Sequence, residues 1–534
     1  MAEAVVLVVL APAALSLAPQ VTALPPLAVF HDLRWLFGYN RSWLGFAAGA
    51  VIIVLGRTTV NAVLVRLAWP RGQRPPGLTA AFAGSLSFTV LAGLLMVPVV
   101  TLVYGVAVLP FSWPFLAAMP VMLAIALPLS HGGVIPSWWR RLPPARAAAW
   151  ALTCFVEYSL LGIALPRLPA AAAVLVAGLA GVVNARAWYS LTAALARPVR
   201  IRRGRPLRAW IPAAPLAAIS VFALAVGGAR LIFDAAATPD GTNLAAMPAS
   251  AGLAAATVRA GLATPADGRE GRTAVLVVAG FGSRCCYKAD GLKQVTPGLV
   301  VQQFSYLGLN AGGRPLPQGS SASDLPLPEL GDMLAEQLDS LYRQTGRPVD
   351  VVAESEGTLG VDAMLARHPD VPLGSVVLLS PIVAPGQASF PEAGQQGPGV
   401  ASGYALGLLD RLVGEMSPFG AQGAGRLIDS VSSVGAQYAD SAVRSRHRRW
   451  LAVVPLADAV TLPTCSLPEN VAFVPAFHGG LLGDPPVLRM VRGFLNGRAV
   501  TGPRALRTAA EMLSSAAAAW RLPESSAPSP PCPA

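Results

Sequence analysis

The run Val349-Asp350-Val351-Val352-Ala353-Glu354-Ser355-Glu356-Gly357 sets the fold of the second half of this chain. Its first part is β-branched and apolar, as a strand buried on both faces must be. The residues that follow, 358–367, read as a helix. Between strand and helix stands Ser355, with small residues two before it and two after it (Ala353 and Gly357). A sharp turn needs that pattern if it is to hold a Ser hydroxyl exposed above a sheet. Working outward, similar short runs occur at 273–280, 299–306, 375–381, 450–458 and 470–477. Between the second and third strand runs, Leu330, Leu334, Leu338 and Leu341 recur at helical spacing over 327–345. Strands alternating with helices predict a mostly parallel sheet flanked by helices, an α/β domain over 272–502.

With its strand and helix on either side, Ala353-Glu354-Ser355-Glu356-Gly357 resembles the nucleophile elbow of the α/β-hydrolase fold, with Ala353 where that motif opens on Gly. The resemblance implies a serine esterase or lipase. A Ser hydroxyl attacks only when a base takes its proton and a carboxylate holds that base, in the family's chain order Ser, acid, His. His478 follows the last strand run and looks like the base, while Asp458 closes the preceding run and looks like the acid. Asp484 is a rival acid, but it follows the His. His447 lies in a basic stretch and reads as solvated. The oxyanion donors implied are the backbone N–H groups of Glu356 and of Phe281, the latter in the Gly-rich loop Ala279-Gly280-Phe281-Gly282-Ser283. Glu354 and Glu356 flank the nucleophile, where they could filter charged substrates; their expected place is in solvent, pointing away. The stretch 384–449 falls where the family carries a lid, and an apolar lid suits a hydrophobic ester or acyl substrate. No cofactor and no metal is expected: G-x-G-x-x-G is absent, and the cysteines lack the partners of a zinc site. A peptidase or acyltransferase of the same fold would share this triad. A transporter or sensor whose hydrolase-like domain only binds a ligand is a reading of another class.

The first half differs in kind. Of 534 residues, 54% are hydrophobic and 13% charged, about half the charge of soluble domains. Seven apolar runs, near 4–22, 44–67, 83–107, 113–130, 147–165, 169–190 and 210–228, approach the roughly 20 residues that a membrane-spanning helix needs. Met1-Ala2-Glu3 gives the first run no basic start, so it reads as a span and not a secretory signal. The net charge of +12 would suit nucleic acid, but its distribution excludes that reading. Residues 1–235 hold 18 Arg against four acids, while the remainder holds 22 bases against 24 acids. The Arg cluster in alternate connections: Arg66, Arg71 and Arg74; Arg140, Arg141 and Arg146; and six between 197 and 208. Basic loops stay inside, so the expected arrangement is a multi-pass cell-membrane protein with a cytoplasmic amino terminus. Its bundle occupies 1–228, a linker 229–271 and the α/β domain the far side, followed by a helix and disordered tail over 503–534.

Arg57 and Glu157 fall within spans, where an isolated charge costs at least about 2.5 kcal/mol, so each needs a partner and the two are expected to pair with each other. The alternative is a proton or substrate pathway. Cysteines in an oxidising compartment form disulfides, and Cys285 or Cys286 is expected to bridge to Cys465, whose loop leaves the same sheet edge.

Overall fold

The computed structural model describes residues 18–40, 42–105, 145–196, 274–286, 290–296, 298–382, 449–457 and 470–517, with isolated positions within 216–224 and 401–430. The fourth expected span lies outside the described residues, as do most of the first and the seventh. The helical half consists of α1 (Pro25–Tyr39), α2 (Trp43–Leu67), α3 (Leu78–Gly105), α4 (Ala145–Ala164) and α5 (Ala170–Ala196). Among the described residues, three helices, α2, α4 and α5, are long and apolar enough to cross a membrane. Helix α3 is apolar from Leu78 to Leu94. Leu44 and Ile52 on α2, and Leu175 and Leu179 on α5, stand at least two-thirds exposed, an outward apolar face suited to lipid and not to water.

Helix α1 occupies most of the stretch between the first two expected spans, where the sequence reading placed only a connection. Pro25 fits the first turn of a helix, where its missing N–H costs nothing, and Leu24, Leu27, Ala28 and Phe37 are buried against the bundle. Its one acid, Asp32, explains Arg57. The Arg57 guanidinium grips the Asp32 carboxylate with two bonds, Nε to Oδ2 and Nη2 to Oδ1, each 2.7 Å. Arg57 therefore pairs with Asp32 and not with Glu157. A two-pronged contact of this kind is the strong form of the Arg–carboxylate bond.

A short helical turn, Ala18–Val21, precedes α1, and the carbonyls at its end look beyond the turn for donors. Side chains from distant helices supply them. Tyr158 donates to the Pro19 oxygen at 2.5 Å, Trp188 Nε1 to the Thr22 oxygen at 2.8 Å and Arg57 Nη1 to the Val21 oxygen at 2.8 Å. Asn184 Nδ2 reaches the Tyr158 hydroxyl at 2.9 Å. Away from water such carbonyls must find donors, and here they draw α2, α4 and α5 around one turn.

The second half holds six parallel strands, β1 (Ala274–Val278), β2 (Val300–Gln303), β3 (Val349–Glu354), β4 (Leu373–Leu379), β5 (Trp450–Ala457) and β6 (Val471–Phe477), in the order β2-β1-β3-β4-β5-β6. Both faces are covered. Leu276 and Val351 pack under α6 (Leu327–Thr345) and α7 (Glu356–Arg367), with Leu330, Leu334 and Leu338 fully buried. Val275, Val352 and Val453 face the other way, against α8 (Pro485–Leu495) through Val487, Leu488 and Val491. The last helix, α9 (Arg504–Ala517), touches both β6 and α4. The order matters for the site. From β1 the chain moves to one side to form β2, then to the other to form β3, which opens a crevice at the carboxyl ends of β1 and β3.

Candidate active site

Ser355 stands at that crevice, between the end of β3 and the first residue of α7, with φ 54° and ψ −118°. A non-glycine residue there is strained by about 1–3 kcal/mol and persists only where its surroundings hold it. They do so from both sides. The Ser355 N–H donates to the Leu379 oxygen at 2.9 Å, and the Thr358 N–H and hydroxyl both donate to the Ser355 oxygen, at 2.9 and 2.6 Å. Gly280, at the end of β1, comes so close that a Cβ on it would meet the Ser355 Cβ at 2.8 Å. Gly357 meets the Val278 oxygen at the same notional distance. The small residues of the turn thus serve the approach of β1 to β3.

His478 follows β6, and its Nε2 lies 2.8 Å from the Ser355 Oγ, across 123 residues of sequence. Both side chains are partly exposed at the crevice. Ala457 is in register with Phe477 across the β5–β6 pair, and these are the residues before Asp458 and His478. Asp458 itself lies outside the described residues. His368 belongs elsewhere: on the surface its Nε2 contacts Asp332 Oδ1 at 2.6 Å beside Arg367. Asp484 caps α8, accepting from the Val487 N–H at 3.4 Å. It has the role of a helix cap.

As the first residue of α7, Glu356 has a backbone N–H with no partner inside the helix, at the positive end of the helix dipole. Phe281, half-buried against the core, follows Gly280 on the facing loop. That loop is pinned by Ser323, whose hydroxyl accepts from the Gly282 N–H at 2.8 Å and donates to the Ser320 oxygen at 3.0 Å. Ser283 closes the turn back to Gly280 at 3.2 Å.

The two glutamates flanking Ser355 are each 2% exposed, which corrects the expectation that they point into solvent. Glu354 Oε1 accepts from the Leu481 N–H at 2.7 Å, tying the Ser355 turn to the loop after His478. Glu356 meets Tyr306: its Oε2 lies 3.3 Å from the phenol oxygen, which itself donates to the Ala279 carbonyl at 2.7 Å. Burial pushes the Glu356 carboxyl well above the usual carboxylate range, with the Asp324 charge adding to the rise and Tyr306 opposing it. The same burial, with Glu356 beside it, pushes the Tyr306 phenol up. Tyr306 has one hydroxyl hydrogen, and the Ala279 oxygen at 2.7 Å and Glu356 Oε2 at 3.3 Å share it. Tyr306 and Ser323 carry no signal in the sequence beyond a hydroxyl at the end of a strand run and one in a turn.

Cys285 and Cys286 are joined to each other by a disulfide, which corrects the expected bridge from either of them to Cys465. Two adjacent cysteines meet without any long-range closure, and Cys465 lies outside the described residues. Set beside known proteins, the chain matches no family model and no curated sequence.

Proposed function

We propose that the chain is a membrane-anchored serine hydrolase of the α/β-hydrolase fold that cleaves an acyl ester through a covalent intermediate. One observation carries the reading: the 2.8 Å contact between the Ser355 Oγ and His478 Nε2 at a strained strand-to-helix turn. A hydroxyl and an imidazole in direct contact are the nucleophile and base of acyl transfer. His478 Nε2 takes the Ser355 proton as Oγ attacks the acyl carbonyl. The N–H groups of Glu356 and Phe281 hold the developing oxyanion. The same His478 proton then passes to the departing alkoxide as the ester C–O bond breaks, leaving the acyl group on Ser355. Water, deprotonated by His478, releases the acid and restores the serine. Asp458 is the residue proposed to hold His478 Nδ1–H and so fix the tautomer.

The described residues of the 384–449 insertion support an acyl substrate reached from the bilayer. Tyr404 lies ring to ring with Trp43 at the start of α2, 5.2 Å between centroids, and Ala401 is buried in the bundle core. At its other end Arg426 pairs with Glu329 of α6 at 3.0 Å. Arginine in alternate connections supports seven spans with the α/β domain outside the cell.

Hydrolysis of p-nitrophenyl esters by the full chain in detergent tests the chemistry. Ser355→Ala and His478→Ala are each expected to lower kcat/KM by about 10³ or more, and unchanged rates would overturn the reading. Orientation is read by a cysteine placed at Ser321, which is exposed. An impermeant thiol reagent should label it in intact cells.

A further inference from the structure

Glu354 is the last residue of β3, joined by one peptide bond to the nucleophile, and its carboxyl is buried. The chain that follows His478 is Gly479-Gly480-Leu481. Both glycines adopt positive φ, 80° and 82°, and no other atom lies within contact range of where a Cβ would stand on either. A loop of that kind has no side-chain packing of its own between His478 and Leu481. Rotation about the two glycines would swing the imidazole away from Ser355 at little cost. The next fixed point is Leu481, whose side chain enters the core and whose N–H donates to Glu354 Oε1 at 2.7 Å. This bond spans 127 residues and links the segment carrying the nucleophile to the one carrying the base.

We propose that Glu354 is a positioning residue that fixes the His478 loop onto the nucleophile strand through the Leu481 N–H, an inference that rests on the serine hydrolase reading for its catalytic consequence. The requirement is for an acceptor oxygen at that position. A carboxylate makes the bond stronger than a neutral group would. Glu354 touches no reacting atom in this scheme; it acts through the placement of His478, and a displacement of about 1 Å at a catalytic group can cost about 10²-fold in rate.

Two readouts on the full chain in detergent test it: amide hydrogen exchange across 478–484, and the rate at which a fluorophosphonate labels Ser355. Glu354→Gln keeps the acceptor, so exchange and labelling should stay within about threefold of wild type. Glu354→Leu removes it, and the loop amides should exchange at least about tenfold faster while labelling slows by about 10²-fold, with the ester KM unchanged. Glu354→Asp, one methylene shorter, withdraws the acceptor while keeping the charge, and is read in the same way should the leucine variant not fold. Unaltered loop exchange in the leucine and aspartate variants overturns the proposal, as does a glutamine variant that exchanges as fast as the leucine one. Loosened exchange in a protein whose wild type never labels upholds the positioning role and overturns the hydrolase reading instead.

Discussion

The helical half encloses an acid in part and the sheet half buries two, and they satisfy them differently. Between the helices, Asp32 meets a cation, and Arg57 binds it with two parallel hydrogen bonds. Beside the sheet, Glu354 receives a backbone N–H and Glu356 a phenol, and the carboxyl of Glu356 is pushed toward its neutral form. A matched ion pair among helices is the cheapest way to keep a charge where there is no water, and it joins α1 to α2. Two buried acids next to a strained serine are costly in themselves. The first arrangement ties helices together; the second surrounds the residue proposed to carry the chemistry.

Arg57→Leu attacks the first side of that contrast and has the largest expected effect on stability. It leaves the partly buried Asp32 without its cation, which costs about 3 kcal/mol, the low end for a broken buried pair, while Asp32→Leu combined with Arg57→Leu should recover most of the loss. Thermal unfolding in detergent measures both. A single variant as stable as wild type would show that the pair is idle. Tyr306→Phe attacks the second side: the Ala279 oxygen and Glu356 lose their shared hydroxyl, for about 1–3 kcal/mol.

A smaller effect depends on pH. A buried acid whose folded pKa is raised contributes its stability below the unfolded value, about 4.3, and loses it as pH rises toward the folded value. Glu356→Gln cannot titrate, so its stability relative to wild type should climb between about pH 4.5 and neutrality and stay level below that. A flat difference across the range would mean that Glu356 is charged in the fold. Asp332 has the opposite sign. The hydrogen bond from Arg367, with a further one from His368, holds its carboxyl below the usual range, so its contribution is present near neutrality and fades as pH falls through the folded pKa. The pair is exposed, and Asp332→Asn should cost under about 1 kcal/mol in chemical denaturation at pH 7.

The parts that were legible in sequence are those fixed by local pattern. All six strands follow from β-branched runs, since a parallel sheet covered on both faces demands them. Helix α6 follows from leucines at helical spacing, and the Ser355 turn from the small residues around it. His478 was legible from its place after a strand. Contacts between distant segments left no such trace. Helix α1 lies between the first two expected spans, and the pairing of its Asp32 with Arg57, 25 residues on, leaves no local pattern. The glutamates beside Ser355 look like surface residues until Leu481 and Tyr306 are folded over them. Adjacent cysteines gave no hint that they would close on each other.

The proposed activation of Ser355 by His478 is tested most directly by labelling with a fluorophosphonate followed by peptide mass spectrometry. The expected adduct lies on the peptide containing Ser355 in wild type, is absent in Ser355→Ala and forms at least about 10²-fold more slowly in His478→Ala. A wild-type protein that stays unlabelled, or an adduct that persists in Ser355→Ala, would contradict it.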